Sequence, residues 1–115
     1  MYKLIFFVPA SHVEQVKQTL FDIGAGQYAG YDFCSWQVLG EGQFRPLSGS
    51  KPFVGEMDTL EKIPEYKVEM VCRTELIKPA LQALLTAHPY QQPAYEVYKL
   101  LTLNDLDETT GTPTV

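Results

Sequence analysis

Cysteine, positive charge and long hydrophobic runs are all scarce in this sequence, and each shortage narrows the class of protein. The two cysteines, Cys34 and Cys72, lie far apart and outside any zinc-ligand spacing, which argues against a disulfide framework or a structural zinc site. We expect both to be buried, reduced thiols. Nine basic residues stand against 14 acidic ones, for a net charge of -5, which argues against a nucleic-acid or anionic-membrane partner.

Hydrophobic residues are plentiful, but they never form a run long enough to cross a bilayer. They make up 45% of the 115 residues, which suits one globular domain with its own core. The first residues, MYKLIFFVPA, lack the longer apolar region and cleavage site of a signal peptide. We therefore expect a soluble cytoplasmic protein with one domain over residues 1–103. Residues 104–115 contain few large apolar side chains and are predicted to form a disordered tail.

Two helices are indicated by apolar residues that recur at steps of three and four. One apolar face is formed by Val13, Val16, Leu20 and Ile23, and the other by Ile77, Ala80, Leu81, Leu84 and His88. Before the first helix, Ser11 and Glu14 match a capping box, and Gly24 after it supplies a left-handed stop. Thr74 is the predicted cap of the second helix, which Pro89 ends.

Four strands are predicted around these helices, at residues 2–8, 31–39, 66–72 and 94–103. A long loop broken by glycine and proline covers residues 40–64. The order is strand, helix, strand, strand, helix, strand. Two right-handed crossovers fold this order into a ferredoxin-like plait, an α+β fold with a four-stranded antiparallel sheet and both helices on one face. Because the first strand is apolar on both faces, we expect another subunit to cover the bare face of a homo-oligomer.

Three blocks of sequence carry a family resemblance: VPASHVEQVKQTLFDIGAGQYAGYDFCSW, GEGQFRPLSGSKPFVGE and HPYQQPAYEVY. Together they resemble the PII-like domain of the YqfO and Nif-three (Ngg-interacting-factor) proteins, up to about Leu103. The HPY at a helix end is similar to the CutA family. The resemblance implies a PII-like and CutA-like fold within a superfamily of ring-forming regulatory and metal-tolerance proteins.

In the larger Nif-three proteins, a domain similar to this one is inserted into a two-metal domain of hydrolase-like appearance. The histidine and carboxylate clusters of that metal domain have no counterpart in this sequence. The resemblance therefore implies a free-standing form of the insert without the enzyme-like part. Where the family pattern often has acidic residues after HPY, this chain has Gln91 and Gln92, which disfavours a hard-cation site there.

The plait should bring three segments to one edge of the sheet: His12, the loop that follows Gly40, and the HPY segment at residues 88–90. His12 and His88 are candidate ligands of a divalent metal ion. The alternative for His88 is a structural residue that fixes the turn at Pro89. A small ligand or anion could be bound there by Gly40, Gly42, Phe44, Arg45 and Tyr90.

The function predicted from these features is a non-enzymatic, oligomeric regulatory or sensor-type domain that binds a metal ion or small ligand at a subunit edge. The alternative is an adaptor that docks on a separate two-metal Nif-three-like protein, which would be its protein partner. An enzyme is the least favoured reading, because no serine or cysteine nucleophile stands beside a histidine at recognisable spacing and no general-acid pair stands out.

Overall fold

The computed structural model describes residues 1–106, arranged as a single sheet with two helices. The elements are β1 (Tyr2–Pro9), α1 (Val13–Ile23), β2 (Trp36–Phe44), β3 (Glu61–Cys72), α2 (Ile77–Ala87) and β4 (Tyr95–Lys99). The strands lie in the order β2-β3-β1-β4, and every neighbouring pair is antiparallel. This confirms the predicted ferredoxin-like plait. Most of the predicted tail, residues 107–115, lies outside the described residues.

The core lies between the sheet and the helices. Alternate residues of β1 and β3 point into it, and α1 and α2 contribute the rest. Its fully buried side chains include Leu4, Phe6, Val8, Val16, Leu20, Val68, Ala80 and Leu84. As predicted, Met70 and Cys72 share the buried side of β3 with Val68. Burial raises the pKa of the Cys72 thiol. Neither helix of residues 1–106 has the length and hydrophobicity needed to cross a lipid bilayer.

The predicted side-chain caps of both helices are wrong. The Ser11 hydroxyl is hydrogen-bonded to Nδ1 of its neighbour His12 at 2.8 Å, so it does not cap α1. A 3-10 turn comes first, and His12 is the residue that precedes α1. Thr74 likewise begins a 3-10 turn, and its hydroxyl accepts a hydrogen bond from the N-terminal ammonium at 2.8 Å. Gly24 ends α1 as predicted, with φ of 112°.

Four strand boundaries differ from the prediction by four or five residues. β2 begins at Trp36 because residues 24–35 form a compact turn, in which the Cys34 amide donates to the Gly26 carbonyl at 2.8 Å. The strand then continues to Phe44 and pairs with β3 from Glu61, so the loop covers residues 45–60 rather than 40–64. β4 ends at Lys99 because that residue pairs with Tyr2, where β1 itself begins.

The sheet face opposite the helices, called here the uncovered face, mixes apolar and charged side chains. Ile5 is 7% exposed on this face, whereas Trp36 is 58% exposed. Around them, the Glu69 carboxylate lies 3.9 Å from both the Lys3 and the Lys67 ammonium groups. The uncovered face is therefore more polar than the apolar pattern of β1 alone indicated.

Candidate ligand-binding site at one end of the sheet

Five rings from distant parts of the sequence meet at one end of the sheet and form an aromatic cluster: His12, Phe44, Phe53, His88 and Tyr90. The centroid of the Tyr90 ring lies 4.9 Å from that of His88 and 6.2 Å from those of Phe44 and Phe53. The His12 ring meets Phe53 edge-on, with centroids 5.3 Å apart. The fold thus brings together the start of α1, the loop after β2 and the HPY segment, as the order of elements predicted.

His88 connects the end of α2 to β1 and to the HPY turn. The residue is 5% exposed, and its Nδ1 accepts a hydrogen bond from the Tyr90 amide at 3.0 Å. Because Nδ1 is an acceptor, Nε2 carries the proton and donates to the Phe7 carbonyl at 2.6 Å. Burial lowers the pKa of His88, and proximity to His12 lowers it further against the opposing effect of the Phe7 bond. The geometry is that of a neutral, structural histidine.

Metal binding would require this arrangement to open. Both nitrogens of His88 are engaged by the backbone, and Nδ1 of His12 is hydrogen-bonded to Ser11. Within residues 1–106, no three histidine, cysteine or acidic side chains are grouped in a way that suits a metal ion. The divalent-metal site at His12 and His88 therefore stays a prediction that the geometry does not favour.

A cavity of about 340 Å³ opens beside the aromatic cluster, at the end of the uncovered face. Phe7, Phe44, Phe53 and Tyr90 supply much of its apolar wall. The longer polar side chains that line it belong to Gln43, Arg45, Lys51, Glu65, Gln91 and Gln92. The loop and the HPY segment are joined across it, because the Lys51 amide donates to Oε1 of Gln91 at 3.2 Å.

One acidic side chain, Glu65, lies in the cavity wall beside Tyr90. The Tyr90 hydroxyl donates to Oε2 of Glu65 at 3.5 Å. Burial raises the pKa of Glu65, although the Tyr90 bond acts in the opposite direction. Burial and the adjacent carboxylate together raise the pKa of Tyr90 to about 12, so its hydroxyl stays protonated at neutral pH.

Gly42 leaves room for this carboxylate. A Cβ at position 42 would lie 2.6 Å from Oε1 of Glu65, closer than real Cβ atoms approach. Gly42 therefore affects the cavity through the position of Glu65, because it does not itself line the cavity. Gly40 pairs with Glu65 inside the sheet and does not line the cavity.

Sequence reasoning found part of this site. Phe44, Arg45 and Tyr90 line the cavity as predicted for a ligand site, although what they bind is untested. Phe7, Phe53 and Glu65 were missed. A signal existed for Glu65, because the alternation of β3 extended backwards from Val68 places it on the uncovered face with Lys67 and Glu69.

Comparison with known proteins relates the chain to part of longer proteins. The GTP cyclohydrolase 1 type 2 homolog of Halalkalibacterium halodurans is 37% identical over 100 residues, which are 87% of this chain and 27% of that protein. A Bacillus cereus protein related to NIF3 matches in structure with a TM-score of 0.73 and 35% identity, over 86% of this chain and 25% of that one. The chain is homologous to one domain of the NIF3-related proteins.

The NIF3-related proteins are much longer than this domain, since the chain spans about a quarter of the length of the curated relatives that it matches. CutA1 from Pyrococcus horikoshii has the same fold, with a TM-score of 0.64 over 87% of this chain and 83% of that one. At 16% identity, this likeness shows the fold alone. No protein-family model matches the sequence.

Proposed function

We propose that the chain is a non-enzymatic regulatory domain of the sensor type, which binds a small, flat ligand in the cavity beside Tyr90. The observation that carries this proposal is the cavity itself. Ligand sites are concave, about 300 to 1,000 Å³ in volume, and mostly apolar with a few polar groups that fix orientation. A volume of about 340 Å³ with aromatic walls and a rim of charged and amide side chains fits that description.

A flat ligand is favoured by the rings that form the walls. Tyr90 is inclined by 58° to Phe44 and by 51° to Phe53, so the three rings offer faces in different directions around the opening. Aromatic faces attract planar heterocycles by stacking. The longer relatives are named as homologs of a GTP cyclohydrolase, which makes purine nucleotides the first class of ligand to test on this domain.

Binding rather than catalysis is favoured by the state of the two most suggestive side chains. His88 uses both ring nitrogens to hold the backbone, which leaves neither free to move a proton. Tyr90, with a pKa of about 12, is a hydrogen-bond donor and not a base at neutral pH. These groups support a site that positions a ligand without transforming it.

A homo-oligomer is part of the same proposal. The uncovered face carries exposed Trp36, Val38 and Tyr98 beside the nearly buried Ile5, and a second copy packed there would remove this apolar area from water. The cavity lies at the end of that face, so it would stand at the edge of such an interface. Sedimentation equilibrium tests this directly, because a monomer at every accessible concentration would exclude the assembly.

Isothermal titration calorimetry tests the ligand site. We expect at least one guanine or adenine nucleotide to bind to the wild-type chain, and the Tyr90→Ala variant to lose about tenfold or more in affinity through the loss of stacking. Tyr31→Ala is the matched control, since Tyr31 is 73% exposed and lies outside the cavity. Equal affinities of the wild type and Tyr90→Ala for every ligand would overturn the proposal.

The second candidate is an adaptor that docks on a separate NIF3-like protein. The difference in length favours it, because in the relatives the segment similar to this chain is only about a quarter of a longer protein. Affinity purification of the tagged chain from its native cell, followed by mass spectrometry, separates the two. An adaptor should retain a NIF3-like partner at near-stoichiometric amount, whereas a sensor should elute as copies of itself.

A further inference from the structure

We infer that the cavity selects a ligand with two adjacent N–H donors, the pattern on the edge of guanine and pterin rings, and that Glu65 is the residue that recognises this edge. The inference rests on the proposed ligand site and names the class of molecule that it takes. It starts from a carboxylate placed in the wall of a cavity that four aromatic side chains also line.

The position of the carboxylate is built into the sheet. Glu65 lies on the uncovered face of β3, opposite Gly40 and Pro9 of the neighbouring strands. The missing side chain of Gly42 allows Oε1 to lie over β2, where a Cβ would be only 2.6 Å away. The Tyr90 hydroxyl holds Oε2 at 3.5 Å. Two different strands and the HPY turn thus fix one carboxylate in one orientation.

Most of the hydrogen-bonding capacity of this carboxylate is left for a ligand. An ionised carboxylate offers about four acceptor positions, and Tyr90 occupies one of them. Elsewhere in residues 1–106, the acidic side chains that form ion pairs are Glu14, Glu69 and Glu75. A ligand with two parallel N–H groups could therefore bond to both oxygens of Glu65 at once, in the bidentate geometry that gives the strongest carboxylate contacts.

Burial adds selectivity to this contact. Because Glu65 is partly buried, its ionised carboxylate has lost part of its water, which two donors from a ligand would replace. Guanine presents its ring N–H and amino group side by side, whereas hypoxanthine presents the ring N–H alone. Adenine offers one amino donor beside a ring-nitrogen acceptor, whose lone pair would face a carboxylate oxygen. A site built for two donors discriminates against both analogues.

The test is calorimetric titration of the full chain with guanosine, inosine and adenosine. Nucleosides are used because they lack phosphates that could bind to Arg45 or Lys51 at the rim. We expect guanosine to bind about 10- to 100-fold more tightly than inosine, the gain of one charge-assisted hydrogen bond, and adenosine to bind more weakly still.

The decisive variant is Glu65→Gln. Its carboxamide presents one acceptor and one donor, which match the adenine edge, so the preference should reverse from guanosine to adenosine. Gly42→Ala is an independent second variant, which displaces the carboxylate without removing it and should abolish the preference. Glu41→Gln is the matched control. Glu41 is exposed on β2 and outside the cavity, so the preference for guanosine should be unchanged.

The outcomes separate this inference from the proposed site. If the three nucleosides bind equally, or if Glu65→Gln keeps the guanosine preference, Glu65 does not read the ligand, although a cavity that responds to Tyr90→Ala still stands. If no nucleoside binds, the donor-pair inference is overturned. The ligand site itself fails if every nucleotide has the same affinity for the wild type and for Tyr90→Ala.

Discussion

Replacement of His88 by alanine tests the structural role of this residue most sharply. The change removes two hydrogen bonds, one to the Phe7 carbonyl at 2.6 Å and one from the Tyr90 amide at 3.0 Å. An unsatisfied buried polar group costs about 1 to 3 kcal/mol. His88→Ala would leave the Phe7 carbonyl and the Tyr90 amide without partners, and water could reach one of them through the space left by the ring. We therefore expect a loss of about 2 to 5 kcal/mol in the free energy of unfolding.

The assay is urea denaturation at pH 7.5, followed by circular dichroism. His12→Ala is the matched control, because its ring bonds the exposed Ser11 hydroxyl and touches Phe53 only at an edge. We expect this control to lose less than about 1 kcal/mol, because it leaves no buried polar group without a partner. A His88→Ala loss no larger than that of the control would refute the structural role, and would return His88 to the candidate metal ligands.

The difference in stability between the wild type and His88→Ala is predicted to depend on pH. Burial holds the pKa of His88 below its ordinary value of 6.5, so the unfolded chain binds this proton before the folded chain does. The contribution of His88 to the free energy of unfolding is therefore fully present above pH 6.5. It falls as the pH is lowered through 6.5 toward the pKa of His88 in the folded chain. The stability difference between the wild type and His88→Ala should shrink between pH 7.5 and pH 5. A constant difference would contradict a neutral, buried ring.

Three further predictions concern Glu65, Gly24 and Tyr90. Because burial raises the pKa of Glu65, its ionised form destabilises the fold as the pH rises through that pKa. Glu65→Gln should thus raise the melting temperature at pH 8 and leave it nearly unchanged at pH 4; a rise at both would point to another cause. Gly24→Ala should lower stability by about 1 to 2 kcal/mol, since φ is +112° and the new Cβ would lie 2.9 Å from Leu76. A chemical melt measures this, and a loss below about 0.5 kcal/mol would contradict it. In an ultraviolet pH titration, one of the seven tyrosines should ionise at about 12, and Tyr90→Phe should remove that step.

The fold could be predicted from the sequence because its signals are local and repeat along each element. The alternation of Val68, Met70 and Cys72 and the helical spacing of Val13, Val16 and Leu20 each define a buried face without reference to any other element. Given those faces, the order of elements leaves few topologies.

The ends of the elements depend on tertiary partners and were less predictable. β4 ends at Lys99, which pairs with Tyr2, and just beyond it the Leu100 amide donates to the Met1 carbonyl at 3.0 Å, although residues after Lys99 are apolar enough to continue a strand. Ser11 fits a capping box in sequence, yet its hydroxyl bonds to His12. Gly40 and Gly42 read as loop residues, whereas their place in β2 is set by pairing with β3.

The site was predicted as a meeting of segments but not as a set of contacts. Topology alone brought His12 and the HPY segment to one end of the sheet. The role of His88, however, depends on a carbonyl 81 residues away, and that of Glu65 on a hydroxyl 25 residues away. Such pairings have no periodic signal, because each is produced once by the packing of the whole chain.

Two-dimensional NMR of the isotopically labelled chain, titrated with guanosine, tests the central claim most directly. A ligand in the cavity predicts saturable shifts concentrated in the amides of Phe44, Lys51, Phe53, Tyr90 and Gln91, with those around Tyr31 unmoved. Absence of shifts up to millimolar guanosine would overturn the guanine preference inferred for Glu65, and shifts centred at the Tyr31 end of the sheet would contradict the ligand site itself.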